Sequence, residues 1–348
     1  MERQSAVHRP KLCVLAPTPL LMVEVEPGDD EEYPQGADLH LHPGGQGLWV
    51  ARMAISLGAE VTVCGPFGGE VGAVLGHMLA EENLTVRAVP YNAGNGAYVH
   101  DRRSGDRQTL AHMVPPQLTR HELDDLYGTV LVEALESDVL VLTGAEPERV
   151  LPASFFSRLV RDVRSVDKPI VADLSGQPAK AAAAEGPTVL KMSHEELQAA
   201  GLTEGDSVEE LQQAGHRLVA QGVGAMLISR AGEPTLLVTE ETARLLVGPV
   251  VTPLDHRGAG DSMTAGVAVA LGRGASVVEA ARLGAAAGAL NVTRRGLGTG
   301  RREQIERFAG RIGVADLERH DARRAGDAGP PVAAAAAADP AGTKEEQS

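Results

Sequence analysis

The sequence predicts an α/β protein with a mostly parallel central sheet and helices on both faces. Short apolar runs bounded by turns alternate with amphipathic segments along most of the chain, and such runs are typical of fully buried parallel strands. The chain has 348 residues, of which 43% are hydrophobic, which suffices for a large buried core. These observations favour one large globular α/β fold.

The elements are predicted in order from hydrophobic period, turn residues and helix caps. Strands are predicted at residues 12–15, 61–64, 139–143, 170–173, 189–191, 225–229 and 235–239, and helices at 47–57, 69–82, from 119 onward, 153–166 and 262–271. A β-rich run at 243–252 precedes the last helix. Thr119 with Glu122 three residues later forms a capping box, as does Ser193 with Glu196.

Two segments, 24–42 and 92–113, interrupt this alternation, and each places polar turns beside strand-like runs. By themselves they are typical of ordinary surface hairpins. The polar start and the end differ in composition from the rest, and the end carries an alanine run too short to hold an isolated helix. We therefore predict a flexible N-terminus at 1–11, one domain at 12–318 and a disordered tail at 319–348.

Charge and cysteine content exclude several classes of protein. A net charge of −15 argues against binding to nucleic acid or to an anionic membrane, and 3% aromatic residues argue against a stacking platform for single strands. The two cysteines, Cys13 and Cys64, lie in predicted strands and indicate buried thiols. With a polar N-terminus and no apolar run of spanning length, the sequence predicts a cytoplasmic protein.

The run from Asp255 to Ser262 is the most informative motif of the chain. Gly258, Ala259 and Gly260 open a small-residue helix, where free N–H groups and the helix dipole favour a phosphate. Asp261 follows at once and is positioned to take a proton from an attacking hydroxyl. The pattern predicts phosphoryl transfer, although Gly-x-Gly-Asp before a helix is also typical of a plain loop with an Asp cap.

A second glycine-rich segment leads into the first predicted helix: Gly44, Gly45 and Gln46 precede the helix, and Trp49 lies in its first turn. With the late motif it resembles the PfkB (ribokinase-like) family of carbohydrate kinases over residues 12–308, and it is most similar to the 1-phosphofructokinase branch. The resemblance implies the ribokinase-like fold, ATP and Mg²⁺, and a small β lid formed by 24–42 and 92–113. It also implies a sugar-like substrate beside these four residues and a homodimer formed through the lid.

The same resemblance assigns roles to further residues. Glu196 would join the magnesium shell through water, and Ser193, Ser229 and Gly232 would contact the nucleotide. Asp255 would help to hold a monovalent cation such as K⁺. Each assignment has a plain alternative: a capping box for Ser193 and Glu196, a β-turn between two strands for Ser229 and Gly232, and a solvated loop carboxylate for Asp255.

The substrate end departs from the family pattern. Gln46 and Trp49 stand where the family has Lys and Asn, Ala97 stands near a basic position of the phosphofructokinase branch, and no carboxylate follows the first strand. The sequence therefore favours an unphosphorylated polyol-like acceptor over a fructose phosphate. Two alternatives stay open: a phosphosugar kinase that uses lid arginines Arg102, Arg103 or Arg107, and a non-catalytic nucleotide- or sugar-binding regulator of the same fold.

Overall fold

A computed structural model describes residues 8–28, 36–294 and 296–318. The strands are β1 Lys11–Leu15, β2 Leu20–Pro27, β3 Ala37–Gly44, β4 Glu60–Phe67, β5 Thr85–Pro90, β6 Gly96–Asp101, β7 Gln108–Met113, β8 Val139–Thr143, β9 Ile170–Asp173, β10 Val189–Ser193, β11 Ala225–Arg230, β12 Glu233–Thr239, β13 Ala243–Val247 and β14 Gly313–Leu317. The helices are α1 Gln46–Ser56, α2 Gly69–Leu79, α3 Arg120–Glu136, α4 Ala153–Arg164, α5 Gly176–Ala183, α6 His194–Ala199, α7 Val208–Ala220, α8 Ala259–Gly272, α9 Val277–Asn291 and α10 Arg302–Ala309.

The strands form two sheets within the described ranges. The large sheet has the order β14-β13-β12-β11-β10-β9-β8-β1-β4-β5, and the small sheet has the order β3-β2-β6-β7. From β11 to β5 all neighbours of the large sheet are parallel, whereas β12, β13 and β14 add antiparallel strands at one edge. The predicted mostly parallel sheet and the two-segment lid are both present.

Two apolar cores sandwich the large sheet. One core packs α3, α4, α5 and α7 on one face, and the other packs α1, α8, α9 and α10 on the opposite face. Strand residues alternate between the two cores: Leu140 and Leu142 face the first, whereas Val139 and Val141 face the second. Helices on both faces explain why these strands read as continuous apolar runs in the sequence.

Several predicted boundaries move. Helix α8 begins at Ala259 rather than at residue 262, so Asp261 lies inside the first turn of the helix and not in the preceding loop. The β-rich run predicted at 243–252 is shorter, because β13 ends at Val247. The predicted turn at Ser229 and Gly232 is a tight hairpin, in which Arg230 pairs with Glu233. All capping boxes predicted in the sequence form, at Thr119 and at Ser193.

Other predictions concern cellular context and the chain ends. Cys13 and Cys64 are both buried free thiols, as predicted. No helix within the described residues has the length and apolar character needed to cross a membrane. The predicted tail at 319–348 lies outside the described residues, as do residues 1–7 of the predicted flexible start. A cytoplasmic location stays a prediction.

Candidate active site

The candidate active site is a cavity of about 620 Å³ between the carboxyl ends of the parallel strands and the small lid sheet. Its size lies within the range of small-molecule sites, and the carboxyl edge of an open parallel sheet is where such sites form. Four of the predicted site residues line it: Gly45, Gln46, Trp49 and Glu196. The lid contributes Met22, Tyr98, His100, Arg107, Thr109 and His112 to the opposite wall.

Helix α8 starts beside this edge of the sheet. Its N-cap, Gly258, has φ +71°, a left-handed conformation that glycine adopts without strain. Gly258 has no side chain with which to cap the helix, so the first-turn N–H groups of Ala259 and Gly260 are available to an anion. Gly260 lies close to a lysine, because a Cβ there would be 2.6 Å from Lys191 Nζ and would displace it.

A buried ion pair supports this turn. Lys191 Nζ, in the middle of β10, donates to Asp173 Oδ1 at the end of β9 over 3.0 Å, and both side chains are buried. The second oxygen, Asp173 Oδ2, accepts a hydrogen bond of 2.7 Å from Thr264 Oγ1 on α8. Burial opposes the Lys191 charge, but Asp173 and Glu196 outweigh it and raise the pKa of Lys191 to about 12. The ammonium is therefore a permanent positive charge beside Gly260.

Asp261 is also buried, and its charge is disfavoured. Burial first, and then the nearby Asp173 carboxylate, raise its pKa to about 8, whereas Lys191 opposes the shift. A proton affinity near neutral pH is what a general base needs at physiological pH. The predicted base and the predicted phosphate cradle thus lie in one helical turn next to a fixed cation.

The early glycine segment lines the 620 Å³ cavity. Gly45 precedes α1 with φ +104°, and a Cβ there would lie 2.6 Å from the Thr18 carbonyl oxygen. Gln46 Oε1 accepts a 2.8 Å hydrogen bond from the backbone N–H of Gly144 and so holds the loop after β8. Trp49 lines this cavity and a second one of about 700 Å³ on its other side. Gly44 ends β3 and is buried.

The predicted nucleotide and metal residues meet at the same sheet edge. Ser193 and Ser229 are direct neighbours in the β10–β11 pairing, and Gly232 lies in the turn that follows. Glu196 lines the cavity while its Oε2 accepts a 2.6 Å hydrogen bond from the Ser193 N–H. The capping role and the cavity position therefore coexist, and the carboxylate keeps lone pairs that suit a hydrated magnesium ion.

Asp255 has a different partner from the predicted one. The Arg257 guanidinium donates to both of its carboxylate oxygens, with Nε–Oδ1 at 3.0 Å and Nη2–Oδ2 at 2.6 Å. Arg257 Nη1 also lies 3.6 Å from Glu24 Oε1 on the lid strand β2. Burial raises the pKa of Asp255, but the bonds and charge of Arg257 lower it further, so the net shift is downward. The Arg257 guanidinium thus binds the Asp255 carboxylate, which was predicted to help to hold K⁺.

Sequence reasoning gave no role to several residues that the fold brings to the cavity: Asp173, Lys191, Glu146, Tyr98, His100 and His112. Asp173 and Lys191 had a visible signal, because each is a charged residue at the end of an apolar strand. The lid residues had a weaker one, since Tyr98 and His100 alternate along β6 and so share one face. Among the described residues, no three His, Cys, Asp or Glu side chains gather to hold a metal ion.

Comparison with known proteins agrees with this geometry. A profile of the pfkB family carbohydrate kinases matches residues 13–304. The chain is 30% identical to the ATP-dependent 6-phosphofructokinase isozyme 2 of Escherichia coli over 262 residues, which are 73% of this chain and 82% of that protein. It is 28% identical to the 1-phosphofructokinase of Bacillus subtilis over 262 residues, with 74% and 84% covered.

A solved structure gives the same result for the fold. The crystal structure of phosphofructokinase-2 from Escherichia coli in complex with potassium superposes with a TM-score of 0.74 at 26% identity, covering 87% of this chain and 98% of that one. The fold is that of a ribokinase-like kinase. This chain belongs to the PfkB family of carbohydrate kinases. It is an ATP-dependent sugar kinase, as the sequence predicted, and ATP and Mg²⁺ are the cofactors that this family implies.

The raised pKa of Asp261 makes a prediction about stability. An unfolded aspartate ionises near pH 3.8, whereas folded Asp261 holds its proton to about pH 8. Between these values the unfolded chain releases the proton first, so the contribution of Asp261 to stability falls as the pH rises. We expect Asp261→Asn to raise the Tm, by at least about 2 °C at pH 8, with a gain that grows from pH 4 to pH 8.

Differential scanning calorimetry across this pH range measures the effect. Asp206→Asn, which neutralises an exposed aspartate, is the matched control, and its Tm should stay near that of the wild type throughout. A variant at Asp261 that is no more stable than the wild type at pH 8 would contradict a destabilising buried carboxyl group.

Proposed function

We propose that phosphoryl transfer takes place at the N-terminus of α8, with Asp261 as the base that orients and deprotonates the acceptor hydroxyl. The observation that carries the proposal is a buried carboxyl group with a pKa of about 8 in the first turn of a helix, one residue after Gly260 and its Lys191 neighbour. The N–H groups of Gly258, Ala259 and Gly260 stabilise charge on the transferring group, and Lys191 adds a positive charge to them.

The nucleotide lies along the sheet edge in this proposal. Ser193, Ser229 and Gly232 follow the ends of two neighbouring strands and supply polar contacts to it. Glu196 holds hydrated Mg²⁺ from the cavity side, and the ion neutralises phosphate charge when it is bound. The described residues bring too few ligands together to hold the ion alone, so its affinity depends on the phosphates.

The acceptor binds in the 620 Å³ cavity under the lid. Gly44 and Gly45 let the backbone approach it, and Gln46 and Trp49 face it from the start of α1. We assign the whole kinase to residues 12–318, with the lid sheet excluding water from the reaction. Excluding water suppresses hydrolysis of ATP in place of sugar phosphorylation.

Replacement of the base tests the proposal. Asp261→Asn removes proton acceptance but keeps the size of the side chain, so we expect kcat to fall by at least about 10²-fold. ATP affinity should change little, because the helix N-terminus and Lys191 remain. Coupled ADP release with a panel of sugars measures kcat, and calorimetric titration with ATP measures binding.

Two outcomes of that experiment count against the assignment. A variant with nearly wild-type kcat removes Asp261 from the reaction. A wild-type chain that binds ATP but releases no ADP with any acceptor favours the non-catalytic regulator instead. Glu233→Gln, an exposed change at the first residue of β12, controls for general effects of losing one negative charge.

Potassium is a separate part of the proposal. The E. coli phosphofructokinase-2 structure contains potassium, but here Arg257 already satisfies both oxygens of Asp255. A second cation at this carboxylate would be repelled by the guanidinium, so the residues present do not fit a potassium ion. We infer that Arg257 supplies the positive charge that K⁺ would otherwise bring to the loop before Gly258.

This inference predicts the salt dependence of the kinase. Replacing KCl by tetramethylammonium chloride at equal ionic strength should leave the wild-type rate nearly unchanged. Arg257→Ala frees the Asp255 carboxylate, so the rate of that variant should rise with KCl. If K⁺ strongly activates the wild type, measured as kcat at saturating ATP, then Asp255 binds a cation and the inference about Arg257 is wrong.

We further propose that the lid sheet forms a homodimer. Met22 and Tyr98 line the cavity, so their neighbours Val23 and Val99, which pair in register, face the other way. Exposed apolar side chains extend this outer face: Leu39 is 62% exposed, Leu110 54% and Met113 49%. An apolar sheet face of this kind suits the same face of a second copy related by two-fold symmetry.

A charge on this face tests the dimer. Leu39→Glu should weaken self-association by at least about tenfold, because it buries a carboxylate in an apolar interface. Sedimentation equilibrium measures the dissociation constant. Leu135→Glu on α3, where the wild-type leucine is 43% exposed, is the matched control and should leave it unchanged. A monomeric wild type, or a Leu39→Glu protein that dimerises normally, would contradict the proposal.

A further inference from the structure

Arg107 is the lid arginine whose charge lacks a carboxylate partner within the described part of the chain. It lines the 620 Å³ cavity. Its Nη2 atom lies 3.1 Å from His100 Nδ1 and 3.0 Å from His100 Nε2. The other lid arginines are engaged differently: Arg103 is bound by Asp101, and Arg102 Nε lies 3.7 Å from Glu24 Oε1.

At the lid side of the cavity, guanidinium groups outnumber the carboxylates that pair with them. Three guanidinium groups, on Arg102, Arg107 and Arg257, face two carboxylates, on Glu24 and Asp255. Asp255 pairs with Arg257, and Glu24 lies between Arg102 and Arg257. Arg107 therefore has no carboxylate partner among these residues.

The histidine beside Arg107 does not add a second charge. His100 is buried behind the guanidinium. Burial, and then the Arg107 charge, lower the pKa of His100 below its ordinary value, which favours the neutral ring. A neutral ring accepts a hydrogen bond from Arg107 and orients it, and the guanidinium stays without a carboxylate partner.

We propose that the acceptor of this kinase is a polyhydroxy carboxylate and that Arg107 binds its carboxylate. The inference rests on the proposed function above and names the substrate class of the same cavity. A carboxylate brings one negative charge and matches the fork of a guanidinium. A neutral polyol offers this guanidinium no charged partner, and the Glu146 carboxylate in the same cavity disfavours a dianionic phosphate.

The rest of the cavity suits the hydroxyl groups of such an acceptor. Glu146, in the loop after β8, lines the cavity. Its carboxylate accepts hydrogen bonds from the hydroxyl groups of the acceptor. It thus takes the role of the carboxylate that the sequence lacks after the first strand. Thr18 Oγ1 accepts from the Glu146 N–H over 3.2 Å and so holds this loop. The Glu146 carboxylate also repels a second negative charge on the ligand, which disfavours sugar phosphates.

Binding can be measured without turnover. Trp49 is the only tryptophan of the chain and lines the cavity, so its fluorescence reports on occupancy. The probes are C4 to C6 aldonates, the alditols of the same carbon chain, and fructose 6-phosphate. We expect at least one aldonate to bind at least about tenfold more tightly than its alditol and than fructose 6-phosphate.

Variants assign this preference to Arg107. Arg107→Gln should remove the difference between aldonate and alditol while leaving alditol binding unchanged, and Arg107→Lys should retain part of it. Arg103→Gln, which alters an exposed lid arginine bound to Asp101, should behave as the wild type. Circular dichroism of each variant verifies that the fold is kept.

The outcomes separate this inference from the proposed function. Aldonate binding that depends on Arg107, without ADP release, supports the carboxylate site and contradicts the kinase mechanism. ADP release that is fastest with an alditol or with fructose 6-phosphate, or an aldonate preference that survives Arg107→Gln, supports the kinase and overturns the carboxylate site. If no aldonate binds more tightly than its alditol, the inference is wrong.

Discussion

The buried ion pair between Lys191 and Asp173 is the interaction on which the active-site edge of this kinase depends. It joins two neighbouring parallel strands, and through Thr264 it reaches the helix that carries Asp261. Breaking such a pair by removing one partner leaves an uncompensated buried charge, at about 3–5 kcal/mol. One oxygen of Asp173 binds Lys191 on β10 and the other binds Thr264 on α8. One carboxylate therefore fixes the edge of the sheet relative to the start of the helix.

This pair also sets the electrostatics of the phosphate cradle. Lys191 Nζ lies close to the position that a Cβ of Gly260 would take, which places a full positive charge beside the partial positive charge of the helix N-terminus. Asp173 neutralises part of that charge, and burial first and then Asp173 raise the pKa of Asp261. In the proposed function, a polyphosphate would meet a positive site beside a carboxyl group with a raised pKa.

The sequence predicted the parts of the fold that local signals determine. Apolar runs predicted the parallel strands, and the capping box of Ser193 and Glu196 predicted the exact residue at which a helix begins. The pairing of Lys191 with Asp173 was not predictable in this way, because it depends on the register between two neighbouring strands. Glu146 was missed as a cavity residue, and Arg107 could not be distinguished from Arg102 and Arg103, because the direction of a loop or lid side chain depends on packing. The sequence analysis assigned Asp255 to a monovalent cation, whereas its partner in the structure is Arg257, two residues further along the chain.

The division of the site between two sheets explains how the acceptor can differ while the chemistry stays the same. The proposed cradle, the proposed base Asp261 and Lys191 belong to the large sheet and α8, whereas Tyr98, His100 and Arg107 belong to the lid. Changes in the lid therefore alter the charge and shape offered to the acceptor without moving the phosphoryl-transfer groups. Arg257 is the exception, because it precedes Gly258 and faces Glu24 on the lid strand. A negative charge on the ligand that interacts with the lid arginines also changes the electrostatic environment of Arg257, next to the proposed phosphate site. Recognition of the acceptor is thereby linked to that site.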